Sequence, residues 1–337
     1  MSDRVLLDVK NLRAGYEAEK RVTAVRGVSF QLGDGEFLGV AGESGCGKST
    51  LAFAVTNMMR PPGKIFGGSV SFEGHDLQKY SSEQMRQIRW KKISIVFQAS
   101  MNVLNPVMKI RDQIFDAISY HSSSYEGRLE ERARELFQYV DISPDYLNAY
   151  PHQMSGGMKQ RVVIATALAL EPKLVIMDEP TTALDVVVQR RILQRIADLR
   201  ERMGFSIIFI THDLSLLVEI SDSLIIMYAG KIVEKAPSKL LFARPLHPYT
   251  EQLMASFPPL VGEKRRLHGI QGHPPELSRE IRGCAFCDRC PKAIEGLCDS
   301  VEPPLLERGD GHLVACHLYG DTPVSEGGTH ERARQQD

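Results

Sequence analysis

The segment Gly42-Glu43-Ser44-Gly45-Cys46-Gly47-Lys48-Ser49 fits G-x-x-x-x-G-K-[ST], between the apolar run Phe37–Ala41 and a helix-like stretch. Few short patterns constrain a fold as tightly. The glycines let backbone N–H groups wrap a phosphate, and the following helix directs its positive end at it. Lys48 is expected to reach the β- and γ-phosphates and the Ser49 hydroxyl to ligate Mg²⁺. Gly42, Ser44, Gly45, Cys46, Gly47, Lys48, Ser49 and Thr50 are therefore candidate nucleotide contacts. Cys46 reads first as a small space-filling side chain of the loop, although its place near a helix N-terminus favours a lowered thiol pKa.

The first 240 residues alternate short apolar runs with helical patterns, the mark of an α/β fold. Strands are expected over 6–9, 27–32, 37–41, 93–97, 174–177, 206–210 and 223–228. Helices are expected over 49–59, 106–119, 128–140, 156–170, 186–203 and 214–220. The run Leu174-Val175-Ile176-Met177 ends in Asp178-Glu179. There Asp178 is placed to hold Mg²⁺ and Glu179 to orient or deprotonate an attacking water. Met154-Ser155-Gly156-Gly157-Met158-Lys159-Gln160-Arg161 admits two readings: a helix capped by Ser155, or a second phosphate-binding helix N-terminus. Trp90, in Arg89-Trp90-Lys91-Lys92, reads as part of a solvated charged turn.

The length, 337 residues, suits about two domains, and 41 Lys and Arg against 42 Asp and Glu leave a net charge of −1. That balance argues against a nucleic-acid protein built on one basic face. No apolar run reaches the roughly 18 residues of a membrane span, and no signal region follows Met1, so a cytosolic chain is expected. After Leu246, proline pairs at 258–259, 274–275 and 303–304 point to a small loop-rich domain. Residues 321–337 lack a hydrophobic pattern and read as a disordered tail. Cys284, Cys287, Cys290, Cys298 and Cys316 crowd together, and in a reducing compartment they read as metal ligands. Their spacing fits part of an iron–sulfur run or a zinc site.

Taken in order, these elements resemble the ATP-binding subunits of ABC transporters over nearly the whole chain. Ser155, Gly156 and Gly157 resemble the family signature, with Met154 and Met158 as mild departures. Gln98 resembles the loop glutamine that touches Mg²⁺, Thr182-Ala183-Leu184-Asp185 the dimer-contact loop, His212 the switch histidine, and Tyr16 the aromatic on adenine. The resemblance implies a P-loop ABC-type nucleotide-binding domain over 1–245 with an inserted helical subdomain over about 99–170. It implies catalysis by Lys48, Glu179 and His212, and Mg²⁺ on Ser49, Gln98 and Asp178. Two such domains would close head to tail, with Ser155, Gly156, Gly157 and Asp185 reaching the partner's ATP.

Gln98-Ala99-Ser100-Met101-Asn102-Val103-Leu104-Asn105-Pro106-Val107-Met108 resembles the coupling region of the dipeptide and oligopeptide importers. Leu246-His247-Pro248-Tyr249-Thr250, followed by Ser256 and Pro258, is similar to the start of their C-terminal domain, here 246–320. This resemblance implies import of di- or oligopeptides. The implied partners are two permeases, a second and different ATPase and an extracytoplasmic solute-binding protein, at the cytoplasmic face of the inner membrane. Relatives of this type also carry oligosaccharides, glutathione or nickel complexes. It further implies a four-iron–four-sulfur cluster on Cys284, Cys290, Cys298 and Cys316, with zinc as the alternative and Cys287 outside the set. A soluble ABC ATPase of DNA repair or translation is a rival of another class. One P-loop and no sustained heptad pattern weigh against it, and no nucleic-acid partner is expected. A non-hydrolysing subunit is disfavoured because Glu179 and His212 are both present.

Overall fold

The computed structural model describes residues 4–17, 19–98, 103–122, 124–180, 186–256 and 269–320. The expected dimer-contact loop at 182–185, including Asp185, lies outside the described residues, as do 99–102, 257–268 and 321–337.

Val5–Glu17 (β1) and Arg21–Gly33 (β2) form a long antiparallel hairpin. Phe37–Ala41 (β3) then leads through the glycine-rich loop into Lys48–Val55 (α1). Gly63–Phe72 (β4) returns to pair with β1, and His75–Asp76 (β5) completes an antiparallel sheet of order β2-β1-β4-β5. Neither β4 nor Ser82–Ile88 (α2) carries an apolar run that announces it. α2 is fixed instead by a capping box, in which Ser81 Oγ accepts from Gln84 N–H and Gln84 Oε1 from Ser81 N–H.

Ile93–Val96 (β6) is followed by three helices, Ile110–His121 (α3), Leu129–Tyr139 (α4) and Gly156–Ala167 (α5). Their apolar stripes meet at Ile114, Ile118, Leu136, Phe137 and Val162. α3 starts later than expected because the Gln113 side chain holds the preceding turn, accepting from Asn105 N–H and donating to Met108 O. Leu174–Asp178 (β7), Val186–Met203 (α6), Ser206–Ile210 (β8), Leu214–Ile220 (α7) and Ser223–Tyr228 (β9) complete the α/β alternation.

The second sheet has a parallel part of order β9-β3-β8-β7-β6. Between their ends its central strands carry no polar side chain, because both faces are covered. Val175, Met177, Ile207 and Phe209 face the layer holding α3–α7, whereas Leu174, Ile176, Ile208 and Ile210 face α1 and the antiparallel sheet. Alternation of period two thus splits each strand between two cores.

Lys231–Pro237 (β10) turns back antiparallel to β9 and leads to Ser238–Ala243 (α8) and Pro248–Ala255 (α9). The chain after residue 246 is not walled off from this frame. Leu306–Glu307 (β11) and Leu313–Val314 (β12) extend the same sheet beyond β10, and Tyr249 and Phe286 enter the same core as β9. The fully buried Glu234 carboxylate on β10 accepts from Leu246 N–H, His247 N–H and His312 Nε2, all within 3.0 Å.

Candidate functional site

β3 delivers the phosphate loop to the C-terminal ends of the parallel strands. At Gly42 (φ 151°) a Cβ would lie 2.2 Å from Met227 O, and at Gly47 (φ 102°) 2.1 Å from Ala24 O. Only glycine lets the loop lie this close to β9 and β2. Lys48 Nζ donates to Gly42 O at 2.7 Å and to Glu43 O at 2.9 Å, tying the loop together from inside. A phosphate would offer that ammonium charged oxygens in place of neutral carbonyls. Ser44 and Gly45 are exposed at the loop's rim and Thr50 is buried behind it. Tyr16, 38% exposed, places its hydroxyl 3.3 Å from Thr50 Oγ1, beside the start of α1. The expectation for Cys46 is corrected: burial pushes its thiol pKa up, and Lys48 only partly opposes this.

Asp178 and Glu179 leave β7 in different environments. Asp178 is buried, and burial raises its pKa against a hydrogen bond from Ser49. Its Oδ1 is buried without a hydrogen-bond partner. A partly unsatisfied carboxylate beside a hydroxyl at a helix start is a donor set that fits Mg²⁺. Glu179 adopts a left-handed φ of 45° and donates its N–H to Ile210 O at 2.9 Å, which turns its side chain off the strand end. Gln98 Nε2 donates to Glu179 Oε2 at 3.0 Å, and His212 Nδ1 lies 3.5 Å from Oε1. Gln98, Glu179 and His212 therefore converge from β6, β7 and β8. Of the three expected Mg²⁺ residues, Ser49 and Asp178 lie together, while the Gln98 amide is turned to Glu179.

Ser155 caps α5, accepting from Met158 N–H at 3.3 Å, and both Ser155 and Gly156 are exposed. The helix start thus faces outward, with the Gly157 amide one residue further in.

Trp90 does lie in a turn before β6, but it is half-buried rather than solvated. It has a left-handed φ of 69°, and its indole N–H donates to Thr166 O on α5 at 3.0 Å. It lines a largely apolar cavity of about 620 Å³ between β6 and the inserted helices, together with Met85, Leu104, Met108, Ile114 and Tyr120.

The six cysteines are free thiols. Cys284, Cys290, Cys298 and Cys316 are near enough for the others to raise the Cys284 pKa, although burial is the larger cause. Cys284 is pushed up to about 12 and Cys316 to about 11. Cys298 Sγ accepts from Ile294 N–H at 3.3 Å. Among the described residues, however, no three His, Cys, Asp or Glu side chains are arranged to hold a metal ion. The donors are right in kind and number for a four-thiolate site, but as they lie they do not form one.

One pair was not foreseen. Arg289, in the turn between Cys287 and Cys290, forms a fork-to-fork ion pair with Glu43 of the phosphate loop. The two are 246 positions apart, and no local pattern announces the pairing.

Comparison with known proteins agrees with this geometry. The family described as "ABC transporter" matches residues 25–182, and "Oligopeptide/dipeptide transporter, C-terminal region" matches residues 233–298. The chain is 46% identical over 317 residues to the probable peptide ABC transporter ATP-binding protein y4tR of Sinorhizobium fredii, covering 93% of this chain and 94% of that one. It is 42% identical to the oligopeptide transport ATP-binding protein AppD of Bacillus subtilis, covering 93% and 97%. The dimeric structure of MJ0796, a bacterial ABC transporter cassette, superposes with a TM-score of 0.61 at 27% identity, covering 69% of this chain and 98% of that one. The chain belongs to the ABC transporter family of ATP-binding proteins. No helix among the described residues is long and apolar enough to cross a membrane.

Proposed function

We propose that the chain is the ATP-hydrolysing subunit of a di- or oligopeptide importer, acting on permeases that form the pore. The observation that carries the reading is the convergence of Gln98, Glu179 and His212 beside the phosphate loop. Lys48 neutralises charge developing on the transferred phosphoryl group, Glu179 orients and deprotonates the water, and His212 donates to the γ-phosphate. Ser49 and Asp178 would hold Mg²⁺, which would offset phosphate charge. Tyr16 stacks on the adenine, and the amides of the glycine-rich loop cradle the phosphates. The outward-facing Ser155, Gly156 and Gly157, with Asp185, contact ATP bound to a second ATPase subunit, of different sequence. Phe97, next to Gln98, lines the cavity beside Trp90 together with the exposed Val103, and this apolar opening, with the exposed Val107 nearby in sequence, favours docking of an apolar permease segment. The chain then sits on the cytoplasmic face of the inner membrane and never touches the cargo, which a solute-binding protein delivers.

The peptide assignment rests on the names of the relatives and on the match over residues 233–298. Reconstitution with two permeases and the second ATPase in vesicles tests it. ATP-driven uptake of peptides is expected; uptake of oligosaccharides, glutathione or nickel complexes instead would replace the cargo. Association with ribosomes or DNA, and with no permease, would overturn the transporter reading.

Residues 246–320 are proposed as a C-terminal unit whose Cys284, Cys290, Cys298 and Cys316 take up a four-iron–four-sulfur cluster, or zinc. The donor set is the support, and no step of ATP hydrolysis runs through it. Anaerobically purified protein is expected to contain iron and acid-labile sulfide. Zinc without sulfide selects the alternative, and neither metal removes both.

A further inference from the structure

The phosphate loop is gripped by the polypeptide that follows residue 246. Arg289 Nη1 donates to Glu43 Oε2 at 2.7 Å and Nη2 to Oε1 at 2.9 Å. The arginine side chain is only 4% exposed and the glutamate 24%. The remaining guanidinium donors are committed as well, to Tyr228 Oη at 3.1 Å and to the carbonyls of Gln271 and Ile270. Such a fork fixes the carboxylate in both position and plane. The Glu43 backbone is held by the same region, since its N–H donates to the hydroxyl of the buried Tyr249 at 2.8 Å. The third polar group of Glu43, its carbonyl, accepts from Lys48 Nζ. One residue of the loop thus connects Arg289 and Tyr249 on one side to the phosphate-reaching lysine on the other.

We propose that Arg289 is a positioning residue for the phosphate loop, setting Lys48 for nucleotide through Glu43 and so letting the cysteine-bearing turn control affinity for ATP. Arg289 touches no phosphate; its effect passes through the orientation of Glu43. The turn that carries it, Cys287–Arg289, is closed by Cys290 N–H donating to Cys287 O at 3.1 Å.

The inference rests on the loop being the ATP site, and the experiment separates the two. Equilibrium binding of Mg·ATP to the full-length chain is measured for the wild type, Arg289→Ala, Arg289→Lys and Glu43→Gln. Turnover is measured in the assembled transporter. Arg289→Ala is expected to weaken ATP binding about tenfold and to raise KM with kcat within about twofold, as a misplaced binding group does. Arg289→Lys, which keeps the charge but loses the fork, is expected to fall between the two. Glu43→Gln is expected to match Arg289→Ala in binding, and the double variant to be no weaker than either single one. Wild-type protein that binds no ATP overturns both readings. Wild-type binding with unchanged affinity in Glu43→Gln and in folded Arg289→Ala overturns this one alone. If Arg289→Ala does not fold, Glu43→Gln decides.

Discussion

The Gln98 side-chain amide donates to Glu179 Oε2 at 3.0 Å, joining the segment that enters the inserted helices to the carboxylate at the end of β7. The neutral amide holds one carboxylate oxygen, while His212 Nδ1 lies 3.5 Å from the other.

Replacement of Glu179 by Gln separates binding from chemistry. Mg·ATP affinity is expected to stay within a few-fold of wild type, while turnover in the assembled transporter falls by about 10²-fold or more, the usual size of a lost general base. Phosphate release measured at saturating ATP checks this. Unchanged turnover removes Glu179 from the role.

Asp178 carries a cost in the nucleotide-free chain. Burial holds its pKa above the ordinary carboxylate value, so folding favours the protonated form and stability is lost as pH rises through the raised pKa. At neutral pH Asp178→Asn, which lacks that charge, is expected to unfold at a higher denaturant midpoint without nucleotide. With Mg·ATP at about 100 times its Kd, wild type should gain about 2.7 kcal/mol and the variant much less. A variant that gains as much as wild type would show that Asp178 does not hold the ion.

Ser155→Ala removes the cap of α5 and is expected to cost about 1 kcal/mol of stability. If the hydroxyl also reaches ATP bound to a second subunit, hydrolysis in the assembled transporter should fall more than tenfold, with Mg·ATP binding to the isolated chain nearly unchanged. Hydrolysis at the wild-type rate confines Ser155 to capping.

His247 gives the fold an acid-sensitive joint. Desolvation lowers its pKa to about 4, although its hydrogen bond with the Ala315 backbone opposes the shift. The unfolded chain binds the proton first, so stability present above pH 6.5 is lost as pH falls toward 4, by about 3 kcal/mol in all. Urea midpoints between pH 7.5 and 4.5 are expected to drop more steeply for wild type than for His247→Asn. The asparagine keeps an acceptor for Tyr249 N–H, which His247 Nδ1 now takes at 3.0 Å. Equal slopes would remove His247 as the titrating group.

What the sequence disclosed and what it hid differ by the range of the interactions. The phosphate loop, Asp178-Glu179 and the central strands are written in adjacent residues, because a strand buried on both faces must be apolar throughout. β4 was silent because it is only partly buried and carries Gly67 and Gly68, the latter at a φ of 89° where a Cβ would strike Asn11. β10 was silent because its centre is the charged Glu234, which is buried only by virtue of donors 12 to 78 residues away. Trp90 misled for the same reason: lysines beside it suggested solvent, but its partner carbonyl lies on α5. Cys46 was misjudged because the helix-end effect on its thiol is outweighed by desolvation. The Arg289–Glu43 pair, decisive for the loop's setting, had no local trace at all.

The addition of β12 and β11 beyond β10 has a consequence for how such a chain can change over time. Shortened near residue 246, the cassette would lose the Tyr249 and Arg289 contacts to its nucleotide loop and leave the flank of β10 with unpaired amides and carbonyls, with Glu234 deprived of its His247 and His312 donors. Bare strand flanks recruit strands from other molecules. Loss of the C-terminal polypeptide is therefore expected to leave a self-adhesive chain, which is a barrier to its gradual removal.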